Sequence, residues 1–484
     1  MLSADDVNVP YPEELSLQSV NLFFRHGART PTAPVFTKVV CQAPPPDIVL
    51  IAIQELGLPK FWPLCAGVKH RRTGLLHDNG QKDAPFRWQR VIETFDSDDG
   101  PLLPENSGTL CFHGELTDHG RAGMVALGAE LRKLYVDRLG LLPTVVTQPD
   151  SICFRASPYP RTLESLQHVI KGFIPPGSAA SSFGQPRIVM RSPQEETLLP
   201  NEEYCERFIQ ISRAYARRTA DRWNSSADVK YLNRLLCKHM PPTQRVAVDA
   251  RPSIHAIHDM ISSTSASGSV VRLPEEFYDN GVMQIVEHIA YEEEFGIYQQ
   301  NEEARRLGIG PILGDVVQRM VNQVQSQTGD ALPGSSIKLF LAGSHDSTVG
   351  AIAASLGSVD LERTGNWPPY GSVLAIELFQ DQTTARMLDG GSLRATGRTP
   401  LSQLSHQQKQ SLQHYYVRLR YNNRVLVVPG CRPPGRNWRG EESFCTLTVF
   451  KEIVDRFTPT AWRESCARRL DQACFPATIE PAGY

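Results

Sequence analysis

Arg25-His26-Gly27-Ala28-Arg29-Thr30-Pro31 follows directly on an apolar run, Leu17, Val20, Leu22, Phe23 and Phe24, that reads as a buried strand. A strand that delivers a histidine between two arginines fits attack on a phosphate. Arginine forks match phosphate oxygens two at a time and stay charged. Histidine offers a neutral ring nitrogen as nucleophile near neutral pH. Gly27 removes a side chain where backbone must approach a ligand, and Pro31 stiffens the exit. The plainer reading, a basic surface turn, does not account for so many specified positions in so short a stretch.

Two downstream segments have the same form. Residues 336–343 read as a strand that runs straight into Ser344-His345-Asp346-Ser347-Thr348, with a helix expected over 347–356 and Gly357 as its stop. His345 and Asp346 therefore sit at the carboxyl end of a strand and at a helix start, where open α/β sheets bind anions. Residues 144–154 read as one strand, or two short ones split at Pro149-Asp150, ending in Arg155. Leu163, Leu166, Val169 and Ile170 then keep helical spacing. Arg161, at the start of that helix, reads as a structural ion-pair residue.

In this order the three segments resemble the histidine acid phosphatases, a branch of the phosphoglycerate-mutase-like superfamily. The pattern Arg-His-Gly-x-Arg-x-Pro is complete at Arg25, His26, Gly27, Arg29 and Pro31, and the later His-Asp pair is His345-Asp346. The family's middle arginine, usually followed by Ser-Thr, matches Arg155 followed by Ala156-Ser157. Further matches are Gly114-Glu115-Leu116-Thr117, Leu127-Gly128 with Leu131-Arg132, and Pro368-Pro369-Tyr370 leading to Ser372 and Glu377. Within the family, Arg29-Thr30-Pro31, residues 126–132 and the Gly430-Cys431 to Phe444-Cys445 region look closest to the lysophosphatidic acid phosphatase branch.

The resemblance implies an α/β, three-layer phosphoglycerate-mutase-like fold, with a central mostly parallel sheet and an inserted helical cap. It implies that His26 forms a phosphohistidine and that Asp346 gives the leaving group its proton. Arg25, Arg29, Arg155 and His345 would hold the phosphate. No cofactor or metal is expected, because arginines take the place of cations. The leading expected substrate is a lysophospholipid such as lysophosphatidic acid. A phytase or sugar-phosphate phosphatase is the alternative, and a phosphate-binding scaffold the non-enzyme one.

Metal motifs give no competing account of the 13 histidines and 10 cysteines. Neither His-Glu-x-x-His nor Cys-x-x-Cys occurs, and the P-loop and the Gly-x-Ser-x-Gly elbow are also missing. His255, His258 and Asp259 form a possible ligand cluster, with exposed or capping groups in the helical cap as the expected reading.

Length and composition point to a folded enzyme with a sizeable core: 484 residues, 41% hydrophobic and 21% charged. A net charge of −2 gives no whole-chain drive towards nucleic acid or anionic membrane. The longest apolar run, 48–53, is far too short to span a bilayer. The first residues show neither a basic nor an apolar leader pattern, so a cytoplasmic location is expected, with mitochondrial or secreted as alternatives if the start is incomplete. Buried free thiols are then the default for the cysteines. Because secreted family members carry disulfides, Cys431 with Cys445 is the candidate pair. Oligomeric state is not legible.

The expected organisation is an extension (1–16), a first catalytic part (17–174) with an excursion over 41–105, a mainly helical cap (175–335), and a second catalytic part with the tail (336–484). Thr117 is expected to cap a helix whose Met124, Leu127, Leu131 and Leu134 make an apolar stripe. Helices are expected over 285–300, 313–325 and 447–457, and a hairpin over 417–428 turning at Asn422-Asn423. In the excursion, Phe61, Trp62, Phe86 and Trp88 are candidates for an apolar entrance, with core packing the alternative; Lys69, Arg71, Arg72 and Lys82 would serve a phytase-type pocket.

Overall fold

The computed structural model describes residues 10–33, 58–59, 61–73, 86–96, 99–240, 245–326, 337–359, 366–383, 398–469 and 471–484. The run 48–53, Cys41, Lys82 and the first nine residues lie outside the described residues, as do the side chains of Arg71, Arg72 and Phe86.

In chain order the strands are β1 (Leu15–Arg25), β2 (His70–Thr73), β3 (Phe86–Gln89), β4 (Thr94–Phe95), β5 (Pro101–Leu102), β6 (Ile152–Ala156), β7 (Ile188–Val189), β8 (Leu339–Ser344), β9 (Val373–Asp381), β10 (Tyr415–Tyr421), β11 (Arg424–Leu426), β12 (Asn437–Trp438) and β13 (Glu441–Thr446). The longer helices are α1 (Asp118–Arg132), α2 (Pro160–Phe173), α3 (Glu206–Trp223), α4 (Ala227–Leu236), α5 (Ile254–Ala266), α6 (Asn280–Gln300), α7 (Glu302–Gly308), α8 (Gly310–Ser326), α9 (Asp346–Ser355), α10 (His406–Ser411) and α11 (Leu447–Phe457). The chain divides into two compact units: Met1–His26, Met124–Asp221 and Ala290–Tyr484 form the first, and Gly27–Gly123 with Arg222–Ile289 the second.

The first unit is built on a nine-stranded sheet ordered β12-β13-β10-β9-β1-β8-β6-β7, with β11 paired to β10. β1, β8, β6 and β7 are parallel neighbours. β9 enters antiparallel between β1 and β10, so β10 returns to the direction of β1. β1, β6, β7, β8, β10 and β12 therefore run one way and β9, β11 and β13 the other, the mostly parallel α/β sheet expected.

Alternation along β1 places helices on both faces. Val20, Leu22 and Phe24 join one core with Met124, Leu127 and Leu131 of α1 and Leu166, Val169 and Phe173 of α2. Phe23, on the other face, joins a second core with Ile312, Val316 and Met320 of α8, Ile352 of α9 and Phe450 and Val454 of α11. Gly128 and Gly172 let α1 and α2 touch backbone to backbone: a Cβ on Gly128 would meet the Val169 carbonyl oxygen at 2.1 Å, and one on Gly172 that of Val125 at 2.0 Å.

Most expected elements are found. α11 has the expected bounds, α6 and α8 contain the helices expected over 285–300 and 313–325, and the hairpin turns through Asn422 at φ 51°. Gly357 closes α9 at φ 60°. The Thr117 hydroxyl accepts from the Gly120 amide at 3.1 Å, capping α1. Upstream of β6 the expected strand fails: Pro149–Ser151 is a 3-10 turn and Val146 makes only an isolated bridge with Ala179. Pro149 has no amide to give a ladder.

The free-thiol default is overturned. Cys205 is bonded to Cys466 and Cys431 to Cys445 in the first unit, and Cys65 to Cys111 in the second. Cys153, Cys237 and Cys474 are free.

In the second unit, β2 pairs with β3 and β4 with β5. Trp62 is 3% exposed and bridges to Cys111, so it is core rather than entrance lining. Phe61 lies edge-on to Phe112 at 6.2 Å, and Trp88 is exposed. Among the described residues no helix is long and apolar enough to cross a membrane.

Candidate active site

Three adjacent parallel strands end at one edge of the sheet. Arg25, the last residue of β1, is level with Ser344 of β8, and Ala156 of β6 is level with Gly343. The backbone continues the ladder past the strand: the His26 amide donates to the Ser344 carbonyl at 3.0 Å, and the Gly371 amide donates to the carbonyl of His26 at 3.3 Å. His345 follows β8 and is the N-cap of α9, and Asp346 is that helix's first residue. The positive end of the helix dipole thus faces the same strand ends.

His26 and His345 are both buried, and their rings meet edge to face with centroids 5.6 Å apart. His345 Nε2 shares a 2.8 Å hydrogen bond with the Ser157 hydroxyl, which is itself 2.8 Å from Thr162 Oγ1. Tyr159 packs edge-on to the His345 ring at 5.1 Å. The buried Arg25 guanidinium is held three ways: by Asp346 Oδ2 at 2.7 Å, by the Pro368 carbonyl at 2.5 Å and by the Tyr370 ring at 4.1 Å. Asp346 also accepts from Trp367 Nε1 at 3.1 Å and from the Ser347 amide at 3.0 Å.

Arg155, at the end of β6, donates to Glu196 Oε1 at 2.6 Å and Thr197 Oγ1 at 3.2 Å. Burial lowers its guanidinium from the ordinary value, and the neighbouring Glu196 carboxylate works against that. Arg29 belongs to the second unit, where its Nη2 is 2.8 Å from Asp259 Oδ1 and its Nη1 donates to the Thr30 carbonyl at 3.1 Å. Burial, the largest influence on Asp259, pushes its carboxyl up, but Arg29 and the Thr32 amide together bring it below its ordinary value.

The first unit therefore gathers Arg25, His26, Arg155, His345 and Asp346 on neighbouring strand ends. Sequence reasoning missed their partners Ser157, Glu196, Trp367 and Tyr370. Ser157 and Tyr370 stood inside quoted motifs; Glu196 and Trp367 carried no local signal. His255, His258 and Asp259 were expected to be exposed or capping. Instead Ser253 caps α5, His258 is buried and Asp259 pairs with Arg29. Glu115, within the Gly114–Thr117 match, is paired with Arg90 at 2.6 Å and Arg121 at 3.4 Å. Among the described residues no group of three or more His, Cys, Asp or Glu is placed to hold a metal ion.

Residues 16–422 match the histidine phosphatase superfamily, branch 2. The chain belongs to that family. It is 30% identical over 475 residues to a Schizosaccharomyces pombe protein named probable acid phosphatase, covering 95% of each chain. It is 25% identical over 466 residues to human lysophosphatidic acid phosphatase type 6, covering 94% of this chain and 87% of that one. Among solved structures, Hafnia alvei phytase in complex with tartrate superposes with a TM-score of 0.53 at 14% identity, covering 95% of this chain and all of that one. That likeness is one of fold. This histidine phosphatase thus has the fold its strand-end motifs implied.

Proposed function

We propose that the chain is a phosphomonoesterase that works through a phosphohistidine on His26. The observation that carries this is the buried His26 beside His345 at the strand ends, with Asp346 tied to Arg25 at the start of α9. Arg25, Arg155 and His345 hold the non-bridging oxygens and balance charge in the transition state. Arg29 joins them on the strength of the motif alone.

A ring nitrogen of His26 bonds to phosphorus as the phosphorus–oxygen bond to the leaving group breaks, and Asp346 passes its proton to the departing oxygen. Water then bonds to phosphorus as the nitrogen–phosphorus bond breaks. Its proton goes to Asp346, and inorganic phosphate leaves. His26 and protonated Asp346 are restored. No step calls on a metal ion, because arginines meet the phosphate charge.

Lysophosphatidic acid is the substrate that the names of the relatives favour. A phytase-type activity is the second reading, which the phytase fold neighbours leave open. Three disulfides suit an oxidising compartment better than the cytoplasm first expected. Phosphate release from p-nitrophenyl phosphate, lysophosphatidic acid and inositol hexakisphosphate in excess chelator tests these readings together. Activity lost in chelator and restored by divalent ions overturns the arginine-only chemistry. Preference for inositol hexakisphosphate moves the substrate reading to phytase.

A further inference from the structure

Beside the strand ends lies a cavity of about 440 Å³ whose walls include Tyr159, Glu196, Glu202, Glu203, Glu294 and Ser347. It adjoins the site through three direct links. Tyr159 packs on His345, Glu196 is bonded to Arg155, and Ser347 donates its amide to Asp346. Four glutamates line it and, among the described residues, no lysine, arginine or histidine does, Arg161 lying behind on the Tyr159 ring at 4.8 Å.

One of these carboxylates lacks a hydrogen-bond donor on one oxygen. Glu196 is 2% exposed, and its Oε1 is saturated by Arg155 and by the amides of Thr197 and Leu198 at 2.7 and 2.6 Å. Its Oε2 is buried with no hydrogen-bond partner among the described residues. A buried carboxylate oxygen without a donor is costly, and a ligand donor would repay it. Glu294 lies on the same wall, and burial first, then the negative charges of Glu202, Asp346 and Glu293, hold its carboxyl well above the ordinary range.

We propose that this cavity is the leaving-group subsite and that it selects phosphate monoesters of amino alcohols, with the ammonium lying among Glu196, Glu202 and Glu294. The proposal deepens the phosphomonoesterase reading and rests on it, and it stands against lysophosphatidic acid as the preferred substrate, because an acylglycerol leaving group carries no ammonium. An ammonium brings three donors that separate carboxylates can share. A bare metal ion fits less well, since among the described residues no three ligands converge. A leaving group bearing several phosphates would meet like charge on every acidic wall.

The test compares O-phosphoethanolamine with ethyl phosphate, which has the same reach and no ammonium. The intact protein should show kcat/KM about tenfold or more in favour of the ammonium ester, as expected for one charge-assisted contact. Glu294→Gln with Glu202→Gln should bring that ratio towards one. Equal kcat/KM in the intact protein overturns the proposal, and so does a ratio that the two substitutions leave in place. Calorimetric binding of both esters to His26→Ala gives a readout independent of turnover. If nothing is hydrolysed, p-nitrophenyl phosphate included, the phosphomonoesterase reading fails, and the binding ratio then decides the subsite by itself.

Discussion

The Asp346 carboxylate lies 2.7 Å from the Arg25 guanidinium while the same oxygen accepts from Trp367 Nε1 at 3.1 Å. The proposed acid and a proposed phosphate ligand are thus joined. A phosphate that engages Arg25 competes with Asp346 for the guanidinium, and its negative charge favours a proton on Asp346. Trp367 gives the same oxygen a second donor besides the arginine.

Leaving-group dependence should separate the two reacting residues. His26→Ala removes the atom that bonds phosphorus, so turnover should vanish for every ester. Asp346→Asn keeps the nucleophile, so its loss should be roughly 100-fold or more for alkyl phosphates and much smaller for p-nitrophenyl phosphate, whose phenolate leaves unaided. Steady-state kinetics across a leaving-group series checks this. Equal losses throughout would make Asp346 a structural residue.

Asp259→Ala should destabilise the second unit. It strips the buried Arg29 of its 2.8 Å partner, and leaving one half of a buried pair costs roughly 3–5 kcal/mol. Denaturant unfolding would show the midpoint falling. An unchanged midpoint would mean the pair contributes nothing to folding.

Glu377 and Glu294 should leave opposite marks on the pH dependence of stability. Burial, the largest influence on Glu377, raises its carboxyl, but Arg420 and Arg418 outweigh it and hold the group below its ordinary value. Its stabilisation is therefore complete above the unfolded value of about 4.3 and is lost as pH falls through the lower folded value. Glu377→Gln should lower the melting midpoint at pH 7, the difference shrinking in strong acid. Glu294 is raised, so folding favours its protonated form, and stability is lost as pH rises above the unfolded value. Glu294→Gln should raise the midpoint at pH 7 and leave it unchanged near pH 4.

Peptide mapping without reductant should recover Cys65 with Cys111, Cys205 with Cys466 and Cys431 with Cys445. Removing Cys205–Cys466 should cost most, because it closes 261 residues against 46 and 14, and unfolded-chain entropy grows with loop length. Melting curves of the three serine double variants would rank them. A flat ranking would assign the effect to local packing.

β1, the Arg25–Pro31 motif, the His345-Asp346 start of α9 and helices such as α11 were legible from the chain alone. Each depends on neighbours close in sequence: apolar spacing sets strand and helix, and a fixed order of side chains sets the motif. Arg155 was legible for the same reason, at the end of an apolar run. Its partner Glu196 was not, nor were Trp367 on Asp346, Asp259 on Arg29 or the bond between Cys205 and Cys466. These pairs are brought together by the order of strands in the sheet and the packing of helices, and no local periodicity encodes which distant side chain will arrive. The acidic wall of the cavity has the same origin. Glu294 is distant in sequence from Glu196 and Glu202, and only the packing of the chain gathers the three on one cavity wall.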